Sequence, residues 1–227
     1  MQVGETATLF LAAPDKYTPL IARGLYLMNR YGTLGGRSRN GWGSFELLPS
    51  PTNGGPAGGD GIPLALRDWQ ACLALDWPHA IGQDAEAGPL IWQTAPYDNW
   101  KSLMVELANI KIRLRTQFGF SLNAAAGDRQ AKRGIDHGQP QDRHWLSYPV
   151  TNHTVSPPWG GSARLPNSLR FKVRTAPNDP KKVGVIFHVP CLPPPELRPD
   201  LSAITTVWQR VHRFLDAPVR NLTRSPR

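Results

Sequence analysis

Apolar residues fall on alternate positions at the start of the chain. Val3, Ala7, Leu9 and Leu11 share one parity, which predicts a strand over residues 2–12. The period then changes. Leu20, Ile21, Gly24, Leu25, Leu27, Met28 and Tyr31 recur at helical spacing behind Thr18-Pro19, a cap followed by proline at the first helical position. Gly32 ends that stripe, and a short strand is expected at residues 44–48. A short helix is predicted over 64–75, ahead of a tryptophan-rich stretch reaching Trp92. The clearest helical period covers residues 98–115, with Asp98 or Asn99 as cap and Trp100, Leu103, Met104, Leu107, Ile110 and Leu114 as its apolar face. Lys111, Arg113 and Arg115 in its last turns suit the negative end of the helix dipole.

Residues 119–141 are polar and glycine-rich and read as a loop. Strands are expected over 145–150, 169–175 and 183–189. The second has strict period two. Leu169, Phe171 and Val173 share one face, and Arg170, Lys172 and Arg174 share the other. Three like charges on one strand face repel unless an anion neutralises them. A proline-rich bend at 190–199 leads into a last amphipathic helix carrying Leu201, Ile204, Val207, Trp208, Val211, Phe214 and Leu215. Residues 219–227 read as a basic, frayed tail. Residues 49–63, PSPTNGGPAGGDGIP, have the composition of a flexible linker, so a domain boundary is placed there, between 1–48 and 64–218.

Between the first helix and the strand at 44–48 lies the most distinctive stretch, YGTLGGRSRNGWGSF at 31–45. Gly32, Gly35, Gly36, Gly41 and Gly43 let another backbone approach closely. Arg37 and Arg39 offer planar forks of donors suited to phosphate. A loop of this kind is built to lie against a polyanion.

Charge points the same way. The 227 residues carry a formal net charge of +9, with a pI of about 10.0. Such a balance favours an acidic partner, nucleic acid or an anionic membrane surface. Residues 111–174 hold eleven basic residues against three acidic ones, so the excess is localised. Phe118, Phe120, Trp145, Tyr148 and Trp159 accompany it; each is either core or a platform on which an unpaired base could stack. No run of about 18 apolar residues occurs, so no transmembrane helix is expected. The first ten residues lack the basic and apolar regions of a signal peptide. Cys72 and Cys191 stand far apart, as two thiols of a reducing compartment rather than a disulfide framework or a zinc site.

The loop lacks the G-K-[ST] ending of a P-loop, and it follows a helix and precedes a strand, the reverse of the dinucleotide fingerprint. No histidine pair has zinc-helix spacing, and no G-x-S-x-G occurs. His137 and His144 lie in the basic region, where a metal-independent ribonuclease could place a general base. His188 and His212 fall in a strand and a helix and read as structural. No cofactor is expected.

GTLGGRSRNGWGSF resembles the glycine-rich loop of the RAMP superfamily, the RNA-binding proteins of CRISPR-associated effector complexes, and is most similar to the first-named RAMP subunits of type III-B (Cmr) complexes. Gly32, Gly35, Arg37, Ser38, Arg39, Gly41, Trp42, Gly43 and Ser44 match the pattern, and Asn40 stands where a second arginine is usual. The run from Arg164 to Val173, RLPNSLRFKV, is similar to a strand entry of that family. The resemblance implies an α+β, ferredoxin-like (RRM-like) architecture. It also implies a truncated or split first domain, because only one strand and one helix precede the loop. It implies a cytoplasmic, non-catalytic RNA-binding subunit. Guide or target RNA and other type III effector subunits would be its partners. Gly32, Gly35, Gly36, Arg37, Ser38, Arg39, Gly41, Trp42, Gly43, Arg164, Arg170, Lys172 and Arg174 would touch RNA. The alternatives are a metal-independent RAMP-type endoribonuclease that processes guide precursors, using His137 or His144, and a basic assembly module of a ribonucleoprotein.

Overall fold

The computed structural model describes residues 5–36, 38–48, 64–120, 134–177 and 179–225. In chain order the elements are α1 (Thr18–Tyr31), β1 (Leu66–Asp68), β2 (Ile81–Asp84), β3 (Gly88–Pro89), β4 (Ile91–Thr94), α2 (Trp100–Thr116), β5 (Ile135–Asp136), α3 (Asp142–Leu146), β6 (His153–Thr154), β7 (Leu169–Ala176), β8 (Asp179–His188), α4 (Leu201–Asp216) and β9 (Leu222–Arg224). The fold is α+β.

The main sheet runs β7-β8-β4-β9, antiparallel throughout. With α2 and α4, its four strands follow the chain order β-α-β-β-α-β. Both helices pack on one face. Leu103, Leu107, Ile110 and Leu114 of α2 join Ile204, Val207, Trp208, Val211 and Leu215 of α4 over Phe171, Ile186 and Trp92. Each such side chain contributes roughly 1.5–3 kcal/mol on full burial. Gly184 of β8 is the closest approach: a Cβ there would stand 2.7 Å from Leu107 Cδ2. Asn99 and Asp200 cap the two helices, accepting from Ser102 N at 2.9 Å and Ala203 N at 3.0 Å.

The opposite face carries a smaller cluster, Ile81, Ile91, Val185 and Phe187, against which Tyr31 of α1 packs edge-on at 5.0 Å between ring centroids. The parallel pair β1 and β2, with β3 antiparallel to β2, lies beside it. The glycine-rich loop follows α1 onto the outer edge of β7.

Several expectations need correction. Residues 5–12 form no strand and pair with none among the described residues; their alternation has no sheet to serve. α1 forms as expected yet has no buried residue, since its stripe meets the body chiefly through Tyr31. Residues 45–48 are not a strand: a single bridge, Thr33 to Ser44, closes the loop. The helix expected at 64–75 is β1 followed by the 3-10 turn Ala71–Ala74. The strand expected at 145–150 begins instead inside α3, because Gln141 and His144 make a reciprocal cap at its start. Residues 222–224, read as frayed tail, are β9, paired with β4, and Arg224 ties the strand to Asp216 at the end of α4 and to the Gly88 and Pro89 carbonyls of β3. The linker expected at 49–63 lies outside the described residues.

Candidate nucleic-acid interface

The glycine-rich loop is a tight hairpin. Leu34 N donates to Gly43 O at 2.9 Å, and Gly41 N donates to Ser38 O at 3.3 Å. Gly43 has φ +69, and a Cβ on it would fall 1.7 Å from the Leu34 carbonyl oxygen, so no other residue fits. Gly41, at φ +85, is buried against Leu107, Met104 and Phe171, with 3.6–3.7 Å left for a Cβ. The loop therefore sits down on α2 and β7 at Gly41.

Side chains lock it to the strand edge. Ser44 Oγ donates to Gly41 O at 2.7 Å and accepts from Val173 N at 2.9 Å. Asn40 forms a parallel bridge with Phe171, and its Oδ1 accepts from Lys111 Nζ. The position where the resemblance expects arginine thus takes a cation's hydrogen bond instead of presenting one. The backbone groups that β7 would otherwise expose are covered by the loop.

The cationic face of β7 lies against this loop. Lys172 is fully buried. Its Nζ donates to Gly32 O at 2.6 Å and Phe45 O at 2.7 Å, and lies 4.4 Å from the Phe45 ring centroid. Burial, aided by the neighbouring Arg174 charge and opposed by Glu46, pushes the lysine down to about 8. The expected neutralising anion is, at Lys172, a pair of loop carbonyls. Its assignment as an RNA contact is corrected accordingly: the side chain holds the loop from beneath and presents nothing to solvent.

Its two neighbours on that face are only half-buried. Arg170 is held below the usual guanidinium range by burial and then by Arg39, and Arg174 by burial and then by Arg30. Arg39 is exposed, and Trp42 is 48% exposed, meeting Trp100 edge-on at 6.2 Å. Gly35 and Gly36 lie at the exposed tip, Ser38 N bonds Gly35 O, and Gly32 ends α1. Arg37 lies outside the described residues. Arg164 stands apart: its Nη1 donates to Gly161 O and Ala163 O, closing its own turn. The structure thus sets the Arg39 charge near Arg170, puts Trp42 against Trp100, and leaves Arg164 out.

The histidines form two groups. His137 Nε2 and His153 Nδ1 are 2.9 Å apart, Gln141 Nε2 is 2.9 Å from His137 Nδ1, and Phe120 stacks on His153 at 3.8 Å. Burial holds both imidazoles below their usual range; the second influence is Asp136 raising His137 and the His137 charge lowering His153. His144 is fully buried, with Nδ1 accepting from Gln141 N, and burial brings it to about 4. It is a capping residue. His153 carries no local signal in the sequence, because its partner His137 lies 16 residues away. In the second group, buried His188 and His212 are 2.9 Å apart, with Ser168 Oγ 3.0 Å from His188 Nε2 and Trp208 stacked on His188. Both are structural, as expected.

Of the basic-region aromatics, Phe118, Trp145, Tyr148 and Trp159 are core. Among the described residues, no group of three His, Cys, Asp or Glu side chains could hold a metal ion, and no helix is long and apolar enough to cross a membrane. No family model, no curated protein and no solved structure matches the chain.

Proposed function

We propose that the chain is a non-catalytic RNA-binding subunit of a type III CRISPR effector complex, with guide or target RNA and the other effector subunits as partners in the cytoplasm. One observation carries the RNA-binding part. The loop is fixed at both ends by Lys172 while Arg39 and Trp42 on its outer side stay exposed. A preorganised loop loses little conformational freedom on binding, and an exposed arginine and an exposed indole on one loop suit phosphates and unpaired bases of one strand. Contacts of this kind are largely indifferent to sequence. The β-α-β-β-α-β order of the main sheet supports the RNA-binding reading, since such sheets carry RNA in other proteins. The effector assignment rests on the loop's resemblance to RAMP proteins. Filter binding of labelled single-stranded RNA at two salt concentrations tests the proposal: Arg37→Ala with Arg39→Ala weakens binding, and unchanged affinity in that double variant overturns the loop's role.

A metal-independent endoribonuclease is the second reading. The His137–His153 pair favours it, because adjacent imidazoles can serve as base and acid. Cleavage of a guide precursor by the purified chain without metal, lost in His137→Ala, would promote it.

A further inference from the structure

Arg30, in the last turn of α1, stands near enough to Arg174 for the two charges to oppose each other where α1 contacts β7. The Nε of each guanidinium is buried and has no hydrogen-bond partner among the described residues. Arg174 Nη2 reaches Gln93 Oε1 at 3.4 Å, the long end of a hydrogen bond. The ion pairs Lys181–Asp98, Arg210–Asp142 and Arg224–Asp216 lie elsewhere. Tyr26 and Tyr31 wall the pair: the Arg30 guanidinium lies 5.4 Å from the Tyr26 ring centroid, and Tyr31 is braced on Phe187. Two half-buried cations side by side, with unused donors, are costly without an anion.

At the other end of the β7 row the Arg39 charge acts on Arg170. Arg170 and Arg174 are four residues apart on one strand, about 13 Å. One phosphate cannot reach both, whereas a polymer with repeating phosphates can. Buried Lys172 and the loop lie between the two pairs.

We infer that Arg30 and Arg174 form a second phosphate-binding point, which takes a phosphodiester of the same RNA strand that the glycine-rich loop holds. The inference rests on the proposed RNA-binding function and adds Arg30, a residue outside the loop, to its path. Bidentate guanidinium forks suit a phosphodiester's two free oxygens, and the tyrosine rings suit the adjoining sugar and base.

Arg30→Ala is the informative variant, because α1 has no buried residue and the change leaves the core untouched. Binding of a single-stranded RNA is measured for the wild type, Arg30→Ala, Arg174→Gln, the double variant and Arg39→Ala, across a salt series, with circular dichroism as a check on folding. Arg30→Ala weakens binding about tenfold and lowers the slope of log K against log salt by about 0.7. Arg174→Gln adds little on top of it, since both serve one phosphate, whereas Arg39→Ala adds its full effect. If Arg30→Ala keeps wild-type affinity and slope while Arg39→Ala weakens binding, the second point is wrong and the loop's role stands. If the wild type binds no RNA at low salt, both fall. Capture of the wild type but not Arg30→Ala by phosphatidylserine vesicles, with RNA affinity equal in the two, would overturn the inference in favour of a membrane surface.

Discussion

The ammonium of Lys172 lies 2.6 Å from the carbonyl oxygen of Gly32, 140 positions earlier in the chain, and its second hydrogen bond closes on Phe45 O at the far end of the same loop. One side chain thus ties the entry and exit of the hairpin to the edge of the main sheet. Lys172→Met fills similar volume but leaves two carbonyls without a donor. At about 1–3 kcal/mol for an unsatisfied buried group, it is expected to cost roughly 2–4 kcal/mol in denaturant unfolding. Amide exchange in residues 38–48 would speed up first. A variant with unchanged midpoint and unchanged exchange would refute the latch.

The latch also has a pH signature. The lysine's folded value of about 8 lies below its ordinary 10.5, so between those values the unfolded chain binds more protons than the folded one. Stability therefore rises with pH across that window and is flat with respect to this group below it. The neutral amine still has two N–H donors for its two carbonyls. Thermal melts from pH 7.5 to about 10 should show the wild type gaining stability relative to Lys172→Met. Parallel curves would show that Lys172 titrates normally.

Gly43→Ala tests the hairpin itself. At φ +69, with the Leu34 carbonyl oxygen 1.7 Å from the new Cβ, the loop cannot keep its shape. The backbone must open, which breaks the Leu34–Gly43 bond and carries Ser44 away from Val173. Loss of RNA binding is expected, together with a lowered melt, since the opened hairpin also disturbs the carbonyls that Lys172 holds and uncovers Val173 N. Gly24→Ala in α1, where a Cβ also meets nothing within 4 Å, is the control outside the loop and keeps affinity.

Period carried much of this structure. β7 could be read residue by residue because Leu169, Phe171 and Val173 face a helix layer and the cations face the loop. α2 and α4 were readable from their apolar faces for the same reason. β4 was not, since Ile91 and Trp92 are both buried and a short strand covered on two faces shows no alternation. β9 was hidden because Arg224 is polar and its partners, Asp216 and the Gly88 and Pro89 carbonyls, are local only in space. Charge misled at Lys172: a cation on a strand looks the same in sequence whether it meets RNA or two backbone carbonyls. Arg30 carries no local signal because it sits in an otherwise ordinary helix end and lies 144 positions from Arg174 in sequence.

Acid should destabilise the fold through His212. Buried among Trp69, Trp92 and His188, it is brought down to about 3 from its ordinary 6.5. Below pH 6.5 the unfolded chain takes up a proton that the folded chain refuses. The stability this group contributes is complete above 6.5 and is lost as pH falls towards 3, by roughly 3 kcal/mol at pH 4.5. Denaturant midpoints of the wild type and His212→Phe from pH 7 to about 4.5 should therefore converge as the wild type weakens faster. A constant gap would mean that His212 does not carry the acid sensitivity.

Trp42 separates stacking from charge in the proposed interface. Its ring is half exposed beside Trp100, and its neighbour Gly41 is clamped between α2 and β7, so the indole is held at a fixed height above the sheet edge. Truncating a stacking platform costs about 1–3 kcal/mol per base and does not change the number of phosphates neutralised. Trp42→Ala should weaken single-stranded RNA binding about tenfold at every salt concentration, with the salt slope unchanged. Arg39→Ala should lower the slope as well. Duplex RNA, whose bases are already stacked, should be indifferent to Trp42→Ala. Equal losses for duplex and single strand would mean that Trp42 braces the loop through Trp100 and meets no base.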